Sequence, residues 1–121
     1  SSWTKRVSVE NAEGSQPVYV RARAFGGSVY ELVYSDESGL WSPGGDGWWY
    51  YSQAVGGGEA TGELSVRIDN APQEPEEGSF NVVVVYESVP VEYREDGTAY
   101  SALESDWTAK VDSGSTEGGA E

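Results

Sequence analysis

The sequence predicts an all-β protein: a two-sheet, jelly-roll-like β-sandwich of about seven or eight antiparallel strands with long loops. Apolar and polar residues alternate along most segments, and clusters of Gly, Pro, Asn and Ser separate those segments. No window has the apolar spacing of an amphipathic helix. The 121 residues fit one domain. We expect the sandwich to span 1–111, and 112–121, rich in Gly, Ser and Glu, to be a flexible tail.

The first half of the chain contains three predicted strands. Arg6 to Glu10 places Val7 and Val9 on one face. Val18 to Phe25 places small apolar residues on one face and larger or basic ones on the other, and Ser28 to Tyr34 follows after two glycines. A turn cluster at 11–17 and the pair Gly26-Gly27 separate these segments.

The second half contains the strongest strand signals. Predicted strands are the aromatic Trp48 to Ser52, Gly62 to Asp69 with Leu64, Val66 and Ile68 inward, and Phe80 to Val89, which is apolar enough for a central strand. Asp96-Gly97 predicts a hairpin turn between Val91–Tyr93 and Thr98–Tyr100. Asp106 to Val111 is a candidate for the last short strand.

The charge and the missing residue types exclude several functions. Twenty-one acidic residues stand against seven basic ones, a net charge of -14, which repels nucleic acid and anionic lipid. No apolar run is long enough for membrane insertion. Without His or Cys, the usual zinc sites and nucleophilic triads are impossible. We therefore expect no catalytic residues, no metal site, no cofactor and no enzymatic activity.

The run Trp48-Trp49-Tyr50-Tyr51 after a glycine-rich turn places aromatic rings on both faces of one strand. One interpretation puts Trp48 and Tyr50 in the core and leaves Trp49 and Tyr51, with Trp41, as an exposed aromatic surface. The alternative is a carbohydrate-binding module that stacks sugar rings on these aromatics and Trp41. The sequence leaves both open.

In order along the chain, several segments resemble the TasA and camelysin group of secreted proteins, which are exported with a dedicated SipW-type signal peptidase. The resemblance lies in the following segments: Lys5-Arg6-Val7-Ser8-Val9-Glu10-Asn11, Pro17-Val18-Tyr19-Val20-Arg21-Ala22, Asp46-Gly47-Trp48-Trp49-Tyr50-Tyr51, Gly58-Glu59-Ala60-Thr61, Val84-Val85-Tyr86-Glu87-Ser88-Val89-Pro90 and Trp107.

This resemblance implies an extracellular structural protein of a bacterial cell surface or biofilm matrix. In that group, jelly-roll subunits join into fibres by β-strand complementation, so self-association or contact with other matrix subunits is expected, and a glycan partner is possible. The resemblance and the strand pattern together make Trp3, Val7 and Val9 the candidate assembly edge. The opening Ser-Ser-Trp is expected to belong to a mature or trimmed form.

Overall fold

The computed structural model describes residues 2–26, 31–69, 82–108 and 112–118, which form eight β-strands and no helix. The strands are β1 (Ser2–Val7), β2 (Val18–Phe25), β3 (Leu32–Ser35), β4 (Trp41–Pro43), β5 (Trp49–Tyr51), β6 (Leu64–Asp69), β7 (Val82–Pro90) and β8 (Asp112–Gly118). The predicted all-β class is therefore confirmed.

The strands form two antiparallel sheets, as a β-sandwich requires. One sheet has three strands in the order β1-β6-β3, and the other has five in the order β4-β5-β2-β7-β8. Three of the pairs are nested along the chain, because β2 pairs with β7, β3 with β6 and β4 with β5. Long-range pairing therefore holds the sandwich together.

The main core lies between the two sheets and is largely aliphatic. Alternation brings every second residue of β2, β6 and β7 to the inner faces, where these side chains are at most 6% exposed: Val20, Ala22, Ala24, Leu64, Val66, Ile68, Val82 and Val84. The predicted inward faces of these strands are confirmed. The central position of β7, between β2 and β8, is confirmed as well.

A second hydrophobic cluster lies on the outer face of the five-stranded sheet. Its buried members are Tyr19, Tyr50, Val89 and Ala102, with Trp48, Val91 and Trp107 packed against them. Segment 91–108 supplies Ala102, Val91 and Trp107 of this cluster, and so it covers part of the sheet's outer face. The five-stranded sheet is thus packed on both faces over part of its area.

The predicted hairpin at Asp96-Gly97 is confirmed. Tyr93 and Ala99 form a β-bridge, and the amide of Arg94 donates to the carbonyl of Thr98. Gly97 has a φ of +90°, a left-handed conformation that favours glycine in such turns. The predicted strand from Asp106 to Val111 is wrong for 106–108, which are turn and loop residues, while 109–111 lie outside the described residues.

The flexible tail predicted for 112–121 is wrong over 112–118. These residues form β8, which pairs antiparallel with β7 from Val82↔Gly118 to Ser88↔Asp112. Gly114 lies opposite Tyr86, and a Cβ added there would meet the Tyr86 hydroxyl at 2.5 Å. The tyrosine ring therefore occupies the space of the missing side chain. Main-chain pairing with β7 thus gives this glycine-rich segment its strand structure.

Several predicted boundaries also shift: the first strand ends at Val7 instead of Glu10, β5 is Trp49–Tyr51 instead of Trp48 to Ser52, and β6 begins at Leu64 instead of Gly62. β1 begins at Ser2 instead of Arg6, because Trp3 and Lys5 continue the inward alternation of Val7. The strand predicted from Ser28 to Tyr34 is described only from its later part, as Leu32–Ser35, and residues 27–30 lie outside the described chain.

Candidate functional site

The candidate assembly edge is β1, one of the two outer strands of the smaller sheet. It pairs with β6 over six residue pairs, from Ser2↔Asp69 to Val7↔Leu64. Within the described chain no strand pairs with its other side, so β1 presents a row of backbone donors and acceptors there.

The predicted edge residues face inward from this strand. Trp3 and Val7 are 5% and 8% exposed and belong to the core between the sheets. Val9 follows the strand, is half-buried and packs against the same core. Its amide donates to the Thr61 hydroxyl and its carbonyl accepts from the Thr61 amide, both at 2.9 Å. Trp3 and Val7 therefore fill the sandwich from β1, and Val9 packs against the same core just beyond the end of the strand.

Lys5 is the residue of β1 that sequence reasoning missed. It lies between Trp3 and Val7 on the inward-facing side and is only 6% exposed. A lysine buries its aliphatic stem and keeps its ammonium near water, which an edge strand permits. The alternation of Trp3, Lys5 and Val7 was the available signal. The inward position of Lys5 was not predicted because a lysine normally lies on the solvent-facing side of a strand.

The predicted exposed aromatic surface of Trp41, Trp49 and Tyr51 is wrong. Trp41 and Tyr51 are 4% and 6% exposed, and Trp49 is half-buried against the same core. The Trp41 indole donates to the Gly62 carbonyl at 3.0 Å, and its ring centroid lies 5.1 Å from that of Tyr51. Trp49 stacks on Tyr34 of β3 with centroids 5.1 Å apart. These rings fill the space between the sheets.

The aromatic strand thus faces the opposite way from the first interpretation. β5 lies between β4 and β2, and its pairing turns Trp49 and Tyr51 toward the other sheet. Trp48 and Tyr50 belong to the outer cluster. Both faces are covered because segment 91–108 lies over the outer one. The sequence did not show that segment 91–108 packs on this strand, and one face of the strand was therefore predicted to be exposed.

Arg21 of β2 is the centre of the outer cluster. Its guanidinium carbon lies 4.3 Å from the ring centroid of Trp48 and 4.7 Å from that of Trp107. Its Nε and Nη2 donate to one carboxylate oxygen of Glu87 at 2.8 and 2.6 Å, and its Nη1 donates to the Tyr50 hydroxyl at 2.9 Å. The two charged side chains are 15% and 23% exposed. A planar cation between two indoles, with an anion at its edge, is a strongly oriented contact.

The chain of polar contacts continues from Tyr50 to Asp46. The Tyr50 hydroxyl donates to Asp46, and this hydrogen bond lowers the pKa of that carboxyl below its usual range. Burial, together with the ionised Asp46, raises the pKa of the Tyr50 phenol. At neutral pH the hydrogen-bonded groups are therefore, in order, the ionised Asp46, the neutral phenol of Tyr50, the Arg21 cation and the Glu87 carboxylate. All of its groups have partners within the chain.

The described residues contain no group of three or more acidic residues arranged to hold a metal ion. Nor do they contain a helix long and apolar enough to cross a membrane. Comparison of the chain with protein-family models, curated proteins and solved structures finds no match in any of the three.

Proposed function

We propose that this chain is a non-enzymatic, extracellular structural protein, a subunit of a bacterial biofilm-matrix or cell-surface fibre that assembles by β-strand complementation at β1. The observation that carries the proposal is that β1 fills the inter-sheet core with alternate side chains while pairing with only β6 among the described strands. A strand held along one side, whose side chains complete a core, is a strand that a second copy can supply.

The nested strand pairs favour a jelly roll. A jelly roll forms when one long hairpin rolls up, so that β2 pairs with β7, β3 with β6 and β4 with β5, as here. In a fully closed roll the outermost pair would be β1 with β8. Here β1 pairs with β6, and β8 pairs with β7. Each is therefore an outer strand of a different sheet.

The two long edges also carry opposite charge. Among the exposed side chains, β1 carries Arg6, whereas β8 carries Asp112. The other two outer strands, β3 and β4, have only four and three residues, and β4 ends in Pro43. Short strands and proline protect an edge against pairing. The structure thus supports assembly at β1 and β8 over assembly at β3 and β4.

The glycan platform built on Trp41 and on the run from Trp48 to Tyr51 is not part of this proposal. Trp41, Tyr50 and Tyr51 are at most 6% exposed. A buried ring cannot stack on a sugar.

Cysteine cross-linking tests β1 exchange directly, because the chain has no cysteine of its own. Thr4 of β1 and Arg67 of β6 are partners in register. We expect that a copy carrying only Thr4→Cys, mixed with a copy carrying only Arg67→Cys under mild oxidation, gives a disulfide-linked pair of the two copies. Paired positions in neighbouring strands meet the distance that a disulfide requires.

The matched control uses the same Arg67→Cys copy with a Val33→Cys copy. Val33 is the β3 partner of Arg67, so this pair tests the side of β6 where no exchange is proposed. Fibres in negative-stain images and rising mass in light scattering should accompany the Thr4 cross-link. Added salt should promote them, since it screens the repulsion of a -14 chain beyond about 8 Å. A chain that stays monomeric at millimolar concentration, with mixed disulfides no more frequent than in the control, rules the proposal out.

A further inference from the structure

Segment 91–108 contains a groove of about 400 Å³ with two tyrosine rings in its walls. Its lining residues are Glu92, Tyr93, Tyr100, Glu104, Ser105 and Asp106. Tyr93 is 64% exposed and Tyr100 is 36% exposed. These rings lie outside both hydrophobic clusters, so the folded chain gains little apolar burial from them. The groove therefore combines accessible aromatic faces with polar groups.

Hydrogen bonds and a cation–π contact hold the backbone and side chains around Tyr100 in place. The Arg94 guanidinium lies 4.4 Å from the Tyr100 ring centroid, and its Nη2 donates to both carboxylate oxygens of Glu104 at 2.8 Å. Its Nη1 donates to the Ala99 carbonyl at 3.0 Å. Glu104 also accepts from the Ser101 amide at 2.8 Å. Because groups of the chain itself make these contacts, binding would require little ordering of the groove.

Two further hydrogen bonds attach the residues around Tyr100 to the sandwich. The Tyr19 hydroxyl of β2 donates to the Tyr100 carbonyl at 2.7 Å. The Trp107 indole, which packs on Arg21, donates to the Ala102 carbonyl at 2.8 Å. These two hydrogen bonds attach the groove to the outer cluster, as a preformed binding site requires.

Glu104 and Asp106 of the groove are ionised acceptors at neutral pH. Hydrogen bonds from Ser101 and the Arg94 side chain lower the pKa of Glu104, and the Thr108 hydroxyl lowers that of Asp106. Glu92 adds a third, exposed carboxylate. Hydroxyl groups that donate to such oxygens form charge-assisted hydrogen bonds.

We propose that this groove binds an uncharged sugar ring of a polysaccharide, with Tyr93 and Tyr100 as stacking surfaces and the carboxylates as acceptors for sugar hydroxyls. A pyranose presents weakly positive C–H groups on its faces and hydroxyl donors around its rim. The negative face of a tyrosine ring complements the C–H groups, and carboxylate oxygens accept hydrogen bonds from the hydroxyl donors. A purely apolar partner would cover these carboxylates and displace their water while offering them no further donors.

The local charge selects against acidic glycans. Within segment 91–108, which the structure describes throughout, the carboxylates outnumber the one arginine, Arg94; they belong to Glu92, Glu95, Asp96, Glu104 and Asp106. A uronate or sulfated chain would meet this field as well as the net charge of -14. The proposed ligand class is therefore uncharged polysaccharide.

Affinity gel electrophoresis with soluble polysaccharides tests the proposal on the full chain. We expect the mobility of the wild-type protein to fall in gels containing at least one of laminarin, xyloglucan and hydroxyethyl cellulose, and not in gels containing polygalacturonate. Tyr93→Ala should raise the apparent Kd about tenfold or more, because it removes the more exposed ring. Tyr93→Phe should keep most of the affinity, since the ring remains.

The matched control is Leu103→Ala, which removes another exposed apolar side chain, 59% exposed, that does not line the groove. Its mobility should equal that of the wild-type protein. Absence of retardation in all three neutral gels, or equal retardation of Tyr93→Ala and wild type, overturns the proposal. So does binding of an oligolysine peptide that depends on Tyr93 when no neutral glycan binds, because the groove would then be a site for cations. Assembly at β1 is read by cross-linking, so failure of one proposal leaves the other testable.

Discussion

The inter-sheet core and the outer cluster of the five-stranded sheet are both buried, but different forces hold them. The core consists mainly of aliphatic side chains such as Leu64 and Ile68, both 0% exposed. The outer cluster is built from tyrosines and tryptophans around the Arg21–Glu87 ion pair. Apolar burial is non-directional, whereas a cation between two rings is fixed in orientation. We therefore expect the core to account for most of the stability and the outer cluster to fix the position of segment 91–108.

The largest expected effect is a truncation in the core. Leu64→Ala should lower the free energy of unfolding by about 2–5 kcal/mol, because it removes a fully buried side chain and leaves a cavity between the sheets. Urea denaturation followed by tryptophan fluorescence measures the change. Leu103→Ala, the same change at an exposed position, should stay within about 0.5 kcal/mol of wild type. Equal losses at the two positions would mean that Leu64 is not in the core.

A smaller loss is expected from the centre of the outer cluster. Arg21→Ala should cost about 1–3 kcal/mol, because it leaves the Glu87 carboxylate mostly buried without its cation and empties the space between Trp48 and Trp107. The fluorescence of the two indoles should also change.

Arg94→Ala provides the matched comparison for Arg21. Its ion pair with Glu104 has side chains that are 36% and 51% exposed, so the loss should lie within about 1 kcal/mol. A double-mutant cycle with Glu87→Gln isolates the Arg21–Glu87 coupling. If the coupling energy of Arg21 with Glu87 is no larger than that of Arg94 with Glu104, measured with Glu104→Gln, then burial does not strengthen the Arg21–Glu87 ion pair.

The smallest effect is expected at Asp46, at the rim of the outer cluster. Its folded-state pKa is lowered by the hydrogen bond from Tyr50, so its contribution to stability is present above its ordinary pKa of 3.8. That contribution is lost as the pH falls through the lower folded-state value. Asp46→Asn should therefore be slightly less stable than wild type at pH 7, by less than about 1 kcal/mol.

The difference at Asp46 should disappear in acid, since protonation makes the wild-type side chain neutral as well. Denaturation midpoints of the two proteins at pH 7, 5, 4 and 3 measure the trend. A gap that persists unchanged at pH 3 contradicts the assignment of the effect to the ionised carboxylate.

Local patterns predicted those parts of the fold that depend on alternation and turn chemistry. Val18 to Phe25 matched β2 from end to end, Leu64, Val66 and Ile68 all face inward, and Asp96-Gly97 forms the expected hairpin. In each case the signal lies within a few consecutive residues. Its physical basis is the side-chain period of a strand or the φ angle that a turn requires.

The candidate sites depended on partners distant in sequence, so local patterns did not reveal them. The facing direction of Trp49 and Tyr51 follows from the register of β5 against β2, and a shift of one residue reverses every side chain. Arg21 meets Glu87 only because β2 pairs with β7. The order of β8 likewise comes from β7, not from its own glycine-rich sequence.

The sequence by itself determined an all-β chain with a strongly acidic surface, no His or Cys chemistry and alternating strands that bury one face. Only the tertiary structure decided that the aromatic run is covered on both sides and that Tyr93 and Tyr100 are exposed at the groove of segment 91–108. The physical reason is that alternation assigns side chains to the two faces of a strand, whereas exposure depends on what packs against each face. That packing is set by strand pairing and by the course of segment 91–108, which join residues far apart along the chain.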